Sequence, residues 1–334
     1  MIGFVALTGA VAVGVSDLEA LRGPLTAYAY RMLGAAADAD DAAQEALIRA
    51  LRNLHSYDPE RGSLSTWVHA IATNVCLDML RGARRRALAW DLVPASAHPD
   101  LGAPLPADRW VEPMPDSRLL DGCDPAELAV RRESVRLAFV VALQALAPRQ
   151  RAVLILRDVL AFTAVETAQM LDTSVAAANS ALQRARRTLE TYRLTAIRSP
   201  EAVGTARHEL LRKYIDAFEA HDVDRLTALL CDDARSAMPP FTWWLQGRET
   251  IGAAMAAGDG CVGDRLIPGA GANGCLSLGQ YRPSRDGVHR PFALIVLELR
   301  HGAVADVVTF LGIADRFAEF GLPETLGSEL TGDR

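Results

Sequence analysis

Trp67, Asn74, Asp78, Arg81, Arg84, Arg85 and Arg86 follow one another at intervals of two helical turns or less. An aromatic ring stacks on an unpaired base, amide and carboxylate groups read base edges, and guanidinium groups bind phosphate. The set therefore has the side chains needed to hold a separated DNA strand, and its arginines point to phosphate rather than to bases. A second set lies far downstream: Ser174, Ala177, Asn179, Ser180, Gln183, Arg184, Arg186 and Arg187. Gln183 and Arg184 are of the kinds that bind adenine and guanine edges bidentately in a major groove. A third set, Asp38, Asp41, Gln44 and Glu45, repeats at three and four residues along one helix. His221, Asp222, His289, His301 and Asp306 are types used in acid–base catalysis. Plainer readings stand beside each. Trp67 falls at an apolar helical position, the arginines suit a solvated face or a helix C-terminus, and the acids cap and solvate a helix.

The elements that must carry these residues are mostly helical. Leu18, Leu21, Leu25, Tyr28 and Met32 recur at helical spacing, and Ala43, Leu47, Ala50, Leu51 and Leu54 predict the core face of the next helix. Trp67, Ile71, Val75 and Leu80 mark a third, entered through a cap at Ser63 or Ser65. Residues 87–125 are proline-rich, acidic and aperiodic, and read as a linker. Within it, Trp110-Val111-Glu112-Pro113-Met114-Pro115-Asp116 needs something to dock on, this chain or a partner. Residues 125–192 are helical again. A short helix at 164–171, a break at Asp172-Thr173-Ser174 and a longer helix from Val175 outline a helix-turn-helix. After Arg198-Ser199-Pro200 two further helices give way to short strands. The clearest are 292–299 and 303–310, joined at Arg300-His301-Gly302 as in a hairpin.

Composition narrows the function classes. The 334 residues are 50% hydrophobic and 23% charged, enough to bury cores over two or three domains. No apolar run reaches the roughly 18–20 residues of a membrane span. Met1–Val15 is apolar but lacks a basic start, which makes it a poor signal peptide. Cys76, Cys123, Cys231, Cys261 and Cys275 form no CxxC pair, which argues against a zinc site or a disulfide scaffold and fits a reducing cytoplasm. The net charge of −6 hides opposite blocks. Residues 61–86 carry five arginines against one acid, and residues 145–198 carry eight arginines against four, each net +4. Acidic stretches separate them, as in a binder that grips nucleic acid at two points.

The motifs resemble a family. Tyr30-Arg31-Met32-Leu33-Gly34, Asp38, Asp41-Ala42, Gln44-Glu45 and Arg49-Ala50, continued by Leu64-Ser65-Thr66-Trp67, Ile71-Ala72-Thr73-Asn74, Cys76-Leu77-Asp78 and Leu80-Arg81, resemble domain 2 of extracytoplasmic-function sigma factors. Leu146-Ala147-Pro148-Arg149-Gln150-Arg151-Ala152-Val153-Leu154 and the stretch 174–189 resemble domain 4. Tyr214, Phe218, His221-Asp222, Leu226, Asp232-Asp233-Ala234, Trp243 and Gly247-Arg248 resemble the SnoaL-like fold, which a subset of these sigma factors carries at the C-terminus.

The resemblance implies a multidomain chain: two all-α sigma domains, helical domain 2 and helix-turn-helix domain 4, followed by an α+β SnoaL-like cone-shaped barrel. The expected limits are 16–87 for domain 2, 88–125 for the linker, 126–198 for domain 4 and 205–325 for the SnoaL-like domain. It implies an alternative sigma factor, not an enzyme, without cofactor or metal, cytoplasmic and off the membrane. Its partners would be promoter DNA and core RNA polymerase, at the clamp of the largest subunit and the flap of the second largest. Asp38, Asp41, Gln44 and Glu45 would meet the clamp. Trp67, Asn74, Asp78, Arg81, Arg84 and Arg85 would take the minus-ten element. Ser174, Asn179, Ser180, Gln183, Arg184 and Arg187 would take the minus-thirty-five element. The acidic linker would run through the polymerase cleft. A larger aliphatic residue is usual in the family where Ala178 stands. Trp243, Trp244 and Phe292 are the candidate lining of a ligand cavity in the C-terminal domain. The fused domain is expected to modulate activity, so deletion after about Arg198 should change promoter activity. Two alternatives remain: a ligand-responsive helix-turn-helix regulator, and SnoaL-like cyclase or isomerase activity at the histidines and aspartates named above.

Overall fold

The computed structural model describes residues 13–96, 101–120, 132–192 and 204–327. Expectations that fall on the other stretches, including the limits at 125–126 and 198 and the nature of residues 1–12, lie outside the described residues. No described helix is long and apolar enough to cross a membrane.

Helices α1 (Val15–Glu19), α2 (Arg22–Leu33), α3 (Ala36–Arg52) and α4 (Leu64–Met79) form the first unit. Gly34, at φ +76°, ends α2 in the left-handed region and turns the chain into α3. The buried stripe of α3 is Ala39, Ala42, Ala43, Ala46 and Ala50, small residues that let α2 and α4 approach closely. Ser63 caps α4 by accepting from the Thr66 N–H at 3.0 Å. The Tyr28 hydroxyl, fully buried, is 2.7 Å from Thr73 Oγ1.

The described residues of the 88–125 segment, 88–96 and 101–120, pack on the units around them. After a short helix α5 (Asp116–Leu119), the described chain resumes towards α6 (Leu137–Gln144). Ala87 pairs with Trp110, and the Val111 N–H donates to the Ala87 carbonyl at 3.2 Å. The Ser96 N–H reaches the Trp244 carbonyl and the Leu105 N–H the Pro240 carbonyl, both at 2.8 Å. Trp110, Val111 and Met114 are at most 4% exposed. Prolines at 113 and 115 interrupt any period-two pattern around these apolar side chains, and backbone pairing to two other units satisfies the segment's polar groups.

Helices α7 (Pro148–Leu154), α8 (Ala164–Met170) and α9 (Val175–Glu190) form the helix-turn-helix unit, with a π turn over Ile155–Val159. Thr163 and Glu166 make a reciprocal capping box at the start of α8. Thr163→Ala should therefore cost about 1 kcal/mol in a denaturant titration. Arg151 is buried. It donates to the Met32 carbonyl at the end of α2 and, at 2.5 Å, to Gln144 Oε1, tying this unit to the first.

The C-terminal unit opens with α10 (Gly204–Glu219) and α11 (Val223–Thr227). Six strands follow: β1 (Leu230–Ala237), β2 (Trp244–Gln246), β3 (Arg265–Pro268), β4 (Leu276–Pro283), β5 (His289–Arg300) and β6 (Ala303–Leu311), with α12 (Arg248–Ala256) after β2. Their order is β2-β1-β6-β5-β4-β3, antiparallel except for β1 beside β6. The β5–β6 hairpin turns at His301 and Gly302, φ +52° and +79°, the two left-handed residues of a type I′ turn.

The sheet separates two cores. Ile295, Leu297, Val304 and Val307 pack on α10, α11 and α12 with Tyr214, Phe218 and Ile251. The other face, with Leu294, Val296, Val308 and Phe310, joins a continuous core that contains Leu25, Met32, Val111, Met114, Leu143 and Leu154. The units are distinct in secondary structure but share that core.

Candidate nucleic-acid and polymerase interface

Helix α9 lies with Ala178, Leu182, Ala185 and Leu189 inward. Ala178 is 2% exposed, so the small residue there is packed. This one-sided burial leaves Asn179, Ser180, Gln183, Arg184, Arg186 and Arg187 exposed together. Ser174 is spent on the N-cap, accepting from the Ala177 N–H at 3.1 Å. Arg186 is also committed, in a forked pair with Asp158 at 2.9 and 2.6 Å. Arg184 and Gln183 remain as the long exposed side chains one position apart, next to Arg187.

In α4, Asn74 and Asp78 are exposed, and Asp78 holds Arg81 at 3.0 Å. Trp67 is half-buried against the core, its ring 5.5 Å from that of Tyr57. Arg81, Arg84 and Arg85 are exposed beyond the end of α4. Arg85 Nη2 donates to the Tyr192 hydroxyl at 3.0 Å, joining the basic run to the end of the helix-turn-helix unit.

The acidic set divides. Asp41 and Gln44 are exposed, Glu45 holds Arg49 at 2.6 Å, and Asp38 holds Arg86 at 2.7 Å. Arg86 also donates to the Ala107 and Trp110 carbonyls. Asp38 and Arg86 thus clip α3, the basic run and the 88–120 segment together. The clip joins residues from opposite charge blocks, which their sequence positions do not reveal.

The two helical units meet at His69. It is 3% exposed, with ring centroids 5.6 Å from Tyr28 and 5.3 Å from Phe162. Nδ1 lies 2.8 Å from the Ser65 carbonyl, and Nε2 is buried without a partner among the described residues. Thr66 Oγ1 reaches Glu166 Oε1 nearby at 3.1 Å. Burial holds the His69 pKa below its ordinary value. As pH falls through about 6.5 the unfolded chain takes the proton first, so stability is lost from there downward. Melting temperatures at pH 7.5 and 5.5 should separate more for the native chain than for His69→Phe.

The candidate cavity residues do not line one cavity. Trp244 is 6% exposed and packs with Ala89 and Trp110, its Nε1 donating to the Val93 carbonyl at 2.9 Å. Trp243 packs on the helix-side core. Phe292 lies under the Arg282 guanidinium, 3.6 Å from ring centroid to Cζ. Trp243 lies just before β2, which Trp244 opens, and the two pack into different cores. Of the catalytic types, Asp222 caps α11 and Asp306 is held by Arg235 at 2.7 and 2.6 Å.

Residues 18–86 match the Sigma-70 region 2 family model, and residues 136–189 match Sigma-70 region 4. The chain is 44% identical over 319 residues to the ECF RNA polymerase sigma factor SigG of Mycobacterium tuberculosis, covering 92% of this chain and 83% of SigG. The chain belongs to the extracytoplasmic-function sigma factor family. The crystal structure of SigJ from the same organism superposes on this sigma factor with a TM-score of 0.59 at 25% identity, over 93% of this chain and all of the other. The first unit is thus sigma domain 2 and the helix-turn-helix unit is sigma domain 4. The helices and curved sheet that follow are the SnoaL-like domain. As an alternative sigma factor, the chain binds core RNA polymerase and promoter DNA in transcription initiation.

Proposed function

We propose that α9 reads the minus-thirty-five element through Gln183 and Arg184, with Asn179, Ser180 and Arg187 on the flanking backbone. The observation that carries this is the sorting of α9, which buries four apolar positions and leaves these side chains on one exposed face. Ser174 and Arg186 act one step back, as the helix cap and as the partner of Asp158. Asn74, Asp78, Arg81, Arg84 and Arg85 take the minus-ten strand, with Trp67 shaping the base of that surface. Asp41 and Gln44 meet the polymerase clamp directly, and Asp38 and Glu45 do so once Arg86 and Arg49 yield them. Domain 4 meets the flap.

The unit limits that fit this reading are 16–87, 88–125, 126–198 and 205–325. The SnoaL-like domain modulates initiation by holding domains 2 and 4 in the arrangement described above, and it has no catalytic part in that work. Arg184→Ala in the holoenzyme should weaken promoter binding by about 1–3 kcal/mol and relax preference at one base pair. Arg187→Ala should weaken all sequences alike and flatten the salt dependence by about one unit of slope. Binding titrations on wild-type and base-substituted promoters at two salt concentrations separate the two. Equal behaviour of both variants on all sequences would remove α9 as the reader.

A further inference from the structure

A cleft of about 310 Å³ opens where the SnoaL-like sheet meets Trp90 and Asp91 of the linker and Tyr192 beyond α9. None of Trp243, Trp244 and Phe292 lines it, although Trp90 packs edge-on against Trp244, and its volume falls within the range of small-molecule sites. Its lining contains four carboxylates, and three have an arginine. Asp306 is held by Arg235, Asp233 by Arg300, and Glu298 by Arg136. Asp91 has no salt bridge among the described residues, and its buried Oδ2 has no hydrogen-bond partner. Burial raises its pKa and outweighs the pull of Arg85, of a hydrogen bond from the Leu88 backbone and of Arg235. A half-buried carboxylate in that condition is under-compensated, and an added cation relieves it.

The other polar groups of the lining are mostly committed. Asp306 and Glu298 accept from arginines, and the Tyr192 hydroxyl accepts from Arg85 while keeping its own O–H to donate. Val141 and Ala305 supply an apolar floor. Aromatic faces are already used, since the Arg235 Cζ sits 4.1 Å from the Trp90 ring centroid.

We propose that this cleft binds a small organic cation, an amine with a compact apolar body, whose ammonium group pairs with Asp91. An occupant touches both the sheet and Tyr192 beyond the recognition helix, which gives the SnoaL-like domain a chemical input to domain 4. That consequence rests on the modulatory reading of the domain, whereas binding itself does not.

Ligand-observed NMR on the full chain, with 2-phenylethylamine as probe and 2-phenylethanol and phenylacetate as neutral and anionic matches, tests it. The amine should bind saturably and roughly tenfold more tightly than the alcohol, a difference of about 1.4 kcal/mol. Phenylacetate should bind most weakly. Asp91→Asn should bring the amine to the level of the alcohol, and Asp232→Asn, at an exposed carboxylate outside the cleft that pairs with Arg248, should leave it within about twofold. Circular dichroism checks that each variant is folded. Equal binding of amine and alcohol, amine binding indifferent to Asp91→Asn in a folded variant, or no saturable binding of the amine would overturn the proposal. None of these readouts depends on polymerase, so failure here leaves the modulatory reading to be judged by transcription.

Discussion

Replacing Asn273 with alanine is expected to destabilise the chain by about 3 kcal/mol or more and to loosen the sigma domains from one another. Asn273 is fully buried in the loop between β3 and β4, at φ +55°. Its Nδ2 donates to the Tyr30 hydroxyl of domain 2 at 2.8 Å and to the Val135 carbonyl before α6 at 2.9 Å. Its Oδ1 accepts from the Met114 N–H of the linker at 2.9 Å, and the Tyr30 hydroxyl donates onward to the Glu112 carbonyl at 2.7 Å. One side chain therefore joins four segments. Alanine would orphan the Met114 N–H and the Val135 carbonyl, at about 1–3 kcal/mol each, and would keep the left-handed backbone that asparagine tolerates better. Denaturant titration measures the loss. Hydrogen exchange should locate it at residues 110–116 and around Tyr30. A loss under about 0.5 kcal/mol would show that the network is incidental.

The second large effect is at Arg136 and Glu298. Arg136 is 2% exposed and Glu298 7%. Arg136 Nε donates to Glu298 Oε1 at 2.5 Å, Nη2 donates to the Leu299 carbonyl, and Cys275 Sγ is 2.9 Å from Glu298 Oε2. Burial pushes the Glu298 carboxyl above its ordinary value while Arg136 pulls it down. Arg136→Met should cost about 3–5 kcal/mol, because it leaves a buried carboxylate unpaired. Glu298 would then take up a proton in the folded state. Its folded pKa would stand above the unfolded one, so stability is greatest in acid and lost as pH rises through and beyond the ordinary carboxyl range. The variant's deficit should therefore shrink towards pH 5. Arg136→Met combined with Glu298→Gln should recover much of the loss, and a double-mutant cycle reads the coupling. A deficit that does not change with pH would contradict the account.

Much of this was legible in the sequence where periodicity governs. In α3 the expected Ala43, Leu47 and Ala50 are buried, but Leu51 is exposed and Leu54 lies beyond the helix. In α4 Val75 is buried, while Trp67, Ile71 and Leu80 are half-buried against the core. The β5–β6 hairpin follows from Gly302 between two apolar runs. The exposed residues of α9 could be read for the same reason. The linker could not. Its docking rests on single apolar residues between prolines, whose partners Trp244 and Asn273 lie more than a hundred residues away in sequence. The commitments of Asp38 to Arg86 and of Arg186 to Asp158 are long-range pairs that spacing cannot reveal. Trp243 and Trp244 invited a cavity because both are large and apolar, but Trp243 precedes β2 while Trp244 opens it, and they pack into different cores.

The shared core also changes how modulation should be tested. Removing the C-terminal domain would bare Val111, Met114 and their neighbours, so a truncated chain would report exposed apolar surface as well as lost regulation. A point variant at the junction avoids this. The decisive measurement is in vitro transcription with core RNA polymerase on the DNA upstream of the chain's own gene, comparing the native chain with Asn273→Ala at a temperature where both are folded. The account predicts specific initiation that requires the native chain, and a yield altered several-fold by the substitution at unchanged core polymerase concentration. Failure of the native chain to bind core polymerase would contradict its role as a sigma factor, and identical yields from both chains would contradict modulation through the SnoaL-like domain.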